Sequence, residues 1–138
     1  MIALPIAFLF ATIGGVIAWV MAYTGTCTGD VADNLFAAIL ALPFYAAALA
    51  TLAFTRNFRA TLLTALILSP LLLWQAAFAL TLAFHILALG QTACEALHGP
   101  PYGPDGSEMT YVILWLTLGL GLPMALAALL WLQRRPTA

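Results

Sequence analysis

The chain has 138 residues, of which 64% are hydrophobic, and it carries only four basic and five acidic side chains. A soluble domain usually has about 25% charged residues, whereas this chain has 7%. The apolar content excludes a soluble enzyme and a disordered chain. The formal charge of −1 and the absence of lysine exclude a nucleic-acid binder.

The positions of the charged residues predict four membrane spans. The charge-free runs are 1–29, 34–55, 60–94 and 109–133. A spanning helix needs about 20 apolar residues, so each run holds one span. We expect spans at about 4–23, 35–54, 62–88 and 111–132, with loops at 24–34, 55–61 and 89–110. The predicted fold is all-α: residues 1–138 form a single four-helix transmembrane domain, an up-down bundle.

The first predicted span carries small residues along one face. On a helical projection, one stripe of about 100° holds Ala7, Ala11, Gly14, Gly15, Ala18 and Ala22. Small residues let two helix backbones approach closely where lipid gives no hydrophobic drive. The pattern predicts tight helix packing, either within the chain's own bundle or against another subunit.

The only two cysteines, Cys27 and Cys94, fall in the first and third loops. If both loops face an oxidising compartment, the pair is expected to form a disulfide that ties the two loops together. The alternative is a redox-active pair. The four-helix membrane proteins that generate disulfides carry a C-x-x-C motif, but Cys27 is followed by Thr28-Gly29-Asp30. A structural bridge is therefore the prediction.

The third predicted span has one strongly polar side chain near the membrane centre. Gln75 shares a helix face with Ala79 and Ala83. We expect Gln75 to form a hydrogen bond to another helix, which is worth about 0.6–2 kcal/mol in a membrane. Mid-span prolines at Pro43, Pro70 and Pro123 predict kinks.

The third loop is the least ordinary segment of the chain. Residues 91–98 have the composition of a short surface helix, and three prolines and three glycines follow at 99–106. Loops of this length without regular secondary structure are often functional. The candidate ligand or partner contacts near this face are His85, Glu95, His98 and Tyr102. Their spacing does not form a metal-binding motif, so no metal site and no cofactor are predicted.

Aromatic and acidic residues mark the predicted ends of the spans. We expect an aromatic belt at the headgroups from Trp19, Tyr23, Tyr111, Trp115 and Trp131. Asp30 and Asp33 precede the second span and Glu108 the fourth. At a helix N-terminus a carboxylate is favoured by unpaired N–H groups and by the helix dipole.

The charges also predict an orientation. All four arginines lie in the second loop or the C-terminal tail, and all five acids lie in the first and third loops. By the positive-inside rule, both termini are cytoplasmic and the acidic loops are outside. We expect a multi-pass protein of the bacterial inner membrane.

No predicted span contains Asp, Glu, Lys or Arg. Such residues usually mark ion pathways and proton relays inside membranes, and small multidrug exporters keep an embedded glutamate that this chain lacks. We therefore predict no catalytic residues. The first hypothesis is a non-catalytic accessory, assembly or protective subunit that contacts lipid and either other membrane subunits or its own copies. The alternative is a small homo-oligomeric channel or carrier for a neutral or lipid-like solute.

Overall fold

The computed structural model describes residues 3–134 and is mostly helical, at 82%. Three long helices are α1 (Ala3–Thr24), α2 (Asn34–Thr55) and α3 (Phe58–Leu89). The fourth long helix, Glu108–Arg134, consists of α5 (Glu108–Leu116), a π-helical turn (Thr117–Gly121) and α6 (Leu122–Arg134). All four are long and apolar enough to cross a membrane. The coarse prediction of a helical protein with four such helices is confirmed.

Two small elements complete the fold. A hairpin joins β1 (Cys27–Thr28) to β2 (Val31–Ala32) in antiparallel register. Its two turn residues, Gly29 and Asp30, both have positive φ, of 59° and 65°. Such a two-residue turn matches the twist of the paired strands, and aspartate tolerates this conformation better than most residues. The short helix α4 (Ala93–His98) lies within the predicted 91–98 segment.

Helix α3 starts earlier than predicted and shortens the second loop. It begins at Phe58 because the Asn57 side chain accepts a hydrogen bond from the Ala60 N–H at 3.2 Å. It ends at Leu89, and the C-cap residue Gly90 has a positive φ of 65° that lets its N–H bond back to the His85 carbonyl. With 32 residues, α3 is about 48 Å long, compared with about 30 Å for the hydrocarbon core of a bilayer.

The small-residue stripe of α1 packs inside the chain, against α2. Five of its six members are buried and Ala22 is half-buried. A Cβ added to Gly14 would lie 3.3 Å from the Ala41 carbonyl oxygen and 3.2 Å from the Phe44 Cβ. The two helix backbones are therefore close enough for glycine to matter. On α3, Gln75, Ala79 and Ala83 are likewise buried.

The fourth long helix corrects the expected aromatic belt. Tyr111 and Trp115 are both 0% exposed and lie inside the bundle, so they do not face lipid. Trp115 packs edge-on against Phe78, with ring centroids 4.5 Å apart, and the Tyr111 hydroxyl bonds to Ala32. Trp19 and Tyr23, by contrast, are exposed.

The loops gather into two groups. Residues 25–33 and 91–107, here called the cap, are joined by a Cys27–Cys94 disulfide with Cα atoms 6.0 Å apart. The predicted bridge is thus present. At the opposite end, here called the arginine end, Gln133 Nε2 donates to the Leu52 carbonyl at 3.1 Å. The Arg134 guanidinium lies 4.9 Å from the ring centre of Phe58 there.

Candidate functional site

A polar pair joins α2 and α3 near the middle of the bundle. Tyr45 is 3% exposed and Gln75 is 0% exposed. Gln75 Nε2 donates a hydrogen bond of 2.6 Å to the Tyr45 hydroxyl oxygen. The other amide atom, Gln75 Oε1, is buried without a hydrogen-bond partner. The predicted interhelical hydrogen bond of Gln75 has Tyr45 as its partner. In the sequence, Tyr45 is marked only as a tyrosine inside an apolar run.

Glycines bring the other two long helices to this pair. A Cβ on Gly15 of α1 would lie 3.2 Å from the Tyr45 hydroxyl oxygen. A Cβ on Gly119 would lie 2.7 Å from the Ala79 Cβ and 2.8 Å from the Gln75 carbonyl oxygen. Real Cβ atoms do not approach other atoms as closely as at Gly119, so glycine is required there, whereas at Gly15 the neighbouring side chains would have to shift. All four long helices therefore converge on one polar centre.

The π-helical turn at Thr117–Gly121 lies in this contact. Pro123 follows two residues later and supplies no N–H to the helix ladder, and its ring crowds the carbonyl of Gly119. A wider turn relieves that clash, which explains the π-helix physically. Turns of this kind occur often at functional sites. Here the turn places the backbone of Gly119 on α3.

The bundle interior beside Tyr45 is nearly filled. The enclosed space there has a volume of about 10 Å³, with a lining that includes Ala11, Tyr45, Thr64 and Leu122. A cavity needs roughly 10–15 Å³ to hold one water molecule. The polar centre therefore contributes to helix packing and leaves no room for a solute in this conformation.

The acidic side chains of the chain bind backbone N–H groups in or beside the cap. Each acidic side chain accepts a hydrogen bond from a backbone N–H in or beside the cap, at 2.7–3.3 Å. The pairs are Asp30 with Gly103, Asp33 with Thr26, Glu95 with Thr92, Asp105 with Ser107, and Glu108 with Asp105. The carboxylates thus hold loop backbone in place, which is a structural use of their charge.

Asp33 departs from the helix-end prediction. It occupies the N-cap position of α2 but makes no side-chain cap hydrogen bond. Its Oδ2 accepts instead from both the N–H and the hydroxyl of Thr26, each at 3.0 Å. The β-hairpin brings Thr26 next to Asp33, and a sequence read only for helix ends does not anticipate that turn.

Of the four predicted contact residues, only His98 and Tyr102 contact each other, while His85 and Glu95 have other partners. His85 Nδ1 lies 2.6 Å from Gln91 Oε1, and Glu95 completes an N-terminal capping box with Thr92. The His98 ring is 6.4 Å from the ring of Tyr102. Among residues 3–134, no group of three or more His, Cys, Asp or Glu side chains is placed to hold a metal ion.

The four apolar helices, the polar centre and the disulfide-tied cap indicate a membrane protein. No protein family, curated protein or solved structure matches the chain. Its role is therefore inferred from its own residues.

Proposed function

We propose that this protein is a non-catalytic accessory subunit of the bacterial inner membrane that presents its cap to a partner subunit in the same membrane. The observation that carries the proposal is the construction of the cap. Two loops far apart in sequence are joined by a disulfide and by the hydrogen bond from the Gly103 N–H to the Asp30 carboxylate, and the other carboxylate hydrogen bonds order the backbone within each loop. A surface fixed in this way meets a partner with little loss of conformational entropy.

The proposed orientation places the cap outside and both termini in the cytoplasm. Arg56, Arg59 and Arg134 support it: Arg56 lies in the short turn between α2 and α3, Arg59 in the first turn of α3, and Arg134 at the end of α6. Cysteine labelling tests it after Cys27 and Cys94 are both replaced by serine. An impermeant maleimide should label Gly106→Cys in intact cells and Thr55→Cys only after permeabilisation. The reverse labelling pattern would contradict the orientation.

Site-specific photocrosslinking tests the partner role. Tyr102, a half-buried residue of the cap, is replaced by p-benzoylphenylalanine and irradiated in native membranes. We expect one adduct of discrete mass that disappears when Cys27 and Cys94 are both serine. The same probe at Phe54, which is 88% exposed at the arginine end, controls for random collision. A lone monomer by native mass spectrometry, together with no adduct at Tyr102, would overturn the proposal.

One observation favours the second candidate, a small homo-oligomeric channel or carrier for a neutral or lipid-like solute. Gln75 Oε1 is buried at the polar centre without a partner, next to a π-helical turn, which is a feature frequent at functional sites. The adjacent space of about 10 Å³ would have to open before a solute passed. Solute flux in proteoliposomes that is abolished in Gln75→Leu would favour this candidate over the first.

A further inference from the structure

A second cavity lies between α3 and the short helix α4, at the cap end. Its volume is about 50 Å³, and it is lined by Phe78, Thr81, Leu82, His85, Ala96 and Leu97. One water requires roughly 10–15 Å³, whereas an apolar cavity that holds benzene measures about 150 Å³. The space is therefore larger than one water molecule needs and smaller than a cavity that encloses a benzene ring, and its lining is mostly apolar, with His85 and Thr81 as its polar side chains.

One wall of this cavity carries His85, whose ring is positioned by a hydrogen bond to Gln91. His85 Nδ1 is 2.6 Å from Gln91 Oε1, and the Gln91 N–H donates to the His85 carbonyl at 3.1 Å. Because an amide oxygen only accepts, Nδ1 donates in this contact, and Nε2 is the ring nitrogen left for a ligand. The contacts with Gln91 therefore hold the His85 ring in one orientation.

Thr81 supplies a hydroxyl one helical turn before His85. Threonines inside membrane helices usually bond to a backbone carbonyl of the preceding turn. Thr12, Thr64 and Thr117 do so here, at 2.7–2.9 Å. In the described part of the chain the Thr81 side chain makes no hydrogen bond, and it lines the cavity. Thr81 is also exposed, so the cavity opens on the side of α3 that faces lipid in a span.

The remaining walls are held rigidly. Phe78 lies between the rings of Trp74 and Trp115, with centroid distances of 5.6 and 4.5 Å. Helix α4 is fixed by the capping box of Thr92 and by the disulfide of the buried Cys94. The cavity is thus preorganised, which lowers the entropic cost of binding.

We propose that this cavity binds the hydroxyl head of a neutral lipid alcohol of the diacylglycerol type. The ligand hydroxyl donates to His85 Nε2 and accepts from the Thr81 hydroxyl, while its acyl chains leave along the exposed side of α3. The cavity size favours an aliphatic head over a ring. The open side favours a ligand that arrives from the bilayer. This site does not depend on the proposed partner role of the cap.

Equilibrium binding to the purified full-length protein in detergent micelles tests the site. The probe is radiolabelled 1,2-dioctanoylglycerol, and the matched control ligand carries an acetyl group on the free hydroxyl. Loss of a neutral hydrogen bond corresponds to roughly 3- to 10-fold in affinity, and the acetyl group also overfills the cavity. We expect saturable binding of dioctanoylglycerol and at least roughly 10-fold weaker binding of the acetylated ligand. Equal binding of the two ligands would overturn the proposal.

Substitutions of the two polar lining residues test whether dioctanoylglycerol binds in this cavity. His85→Phe and Thr81→Val should each weaken it by roughly 3- to 10-fold. Two controls should bind as the wild type does: His98→Phe, outside the cavity, and Thr117→Val, whose hydroxyl already bonds to the Ile113 carbonyl. An intact disulfide and an unchanged unfolding midpoint verify the fold of each variant. Wild-type affinity in both His85→Phe and Thr81→Val would refute the assignment, and the ligand pair decides independently if one of these variants does not fold.

Discussion

The Tyr111 hydroxyl holds both backbone polar atoms of Ala32. It accepts a hydrogen bond from the Ala32 N–H at 2.6 Å and donates one to the Ala32 carbonyl at 3.1 Å. Both residues are 0% exposed, so neither backbone group has water as a substitute. One phenol thus connects the start of the fourth long helix to β2 and secures the cap on the bundle.

Tyr111→Phe should destabilise the protein by about 1–3 kcal/mol, because two buried backbone groups lose their partner while the ring still fills its space. Hydrogen exchange at the Ala32 amide should accelerate more than exchange at amides of α2. Tyr23→Phe is the matched control: Tyr23 is 67% exposed and its hydroxyl only accepts from Trp74 Nε1, at 3.3 Å. Unchanged exchange at Ala32 in Tyr111→Phe would contradict the role assigned to the hydroxyl.

Replacing Cys27 and Cys94 together by serine should loosen the cap more than the helices. The bridge closes a loop of 67 residues, for which chain entropy alone gives about 4 kcal/mol. We expect a smaller loss, because helices inserted in a bilayer are already constrained in the unfolded reference. Faster amide exchange over residues 26–33 with little change in α3 is the expected pattern. Uniformly faster exchange over all four helices would show that the bridge stabilises the whole bundle instead.

Two glycines of the π-helical turn offer a matched pair of substitutions. Gly119→Ala should destabilise by about 1–3 kcal/mol, as overpacking does, because its Cβ would meet the Gln75 backbone oxygen at 2.8 Å. Gly121→Ala meets only Thr117 Cγ2, at 3.8 Å, and should be neutral or stabilising by up to about 1 kcal/mol. Unfolding of both variants in mixed micelles measures the difference. Equal stability of the two would mean that α3 and the fourth long helix separate easily at Gly119.

The distribution of charged residues along the sequence predicts the four long helices. The hydrogen-bond partners of individual side chains depend on tertiary contacts, which the sequence pattern does not show. Charge-free runs are enough to find four apolar helices, because each must be both long and uncharged to cross a bilayer. The pairing of Cys27 with Cys94 follows because the chain has no other cysteine. The role of Asp33 was predicted incorrectly, since its partner Thr26 is brought near by a turn that the helix pattern does not encode.

Of the two residues of the polar centre, the sequence predicts Gln75 but not its partner Tyr45. Gln75 stood out as a polar residue in an apolar span, but its partner Tyr45 reads as one more aromatic residue until the two helices are placed side by side. Likewise, Tyr111 and Trp115 have the composition of a headgroup belt, and only the packing of the fourth long helix against its neighbours buries them. A tyrosine or tryptophan is stable both at the headgroups and in a packed interior. Which of these two environments it occupies depends on the helix that faces it.

The Tyr45–Gln75 pair yields an asymmetric double-mutant cycle. Tyr45→Phe leaves both polar atoms of the Gln75 amide buried without a partner, since Oε1 already has none, and should cost about 1–3 kcal/mol. Gln75→Leu leaves the Tyr45 hydroxyl buried without its partner, but it also removes the unpartnered Oε1, so it should destabilise the protein by about 1 kcal/mol, less than Tyr45→Phe does. Adding Tyr45→Phe to Gln75→Leu should then cost little more. Unfolding free energies of the four proteins in mixed micelles measure the cycle. Additive costs would show that the 2.6 Å hydrogen bond does not couple the two helices energetically.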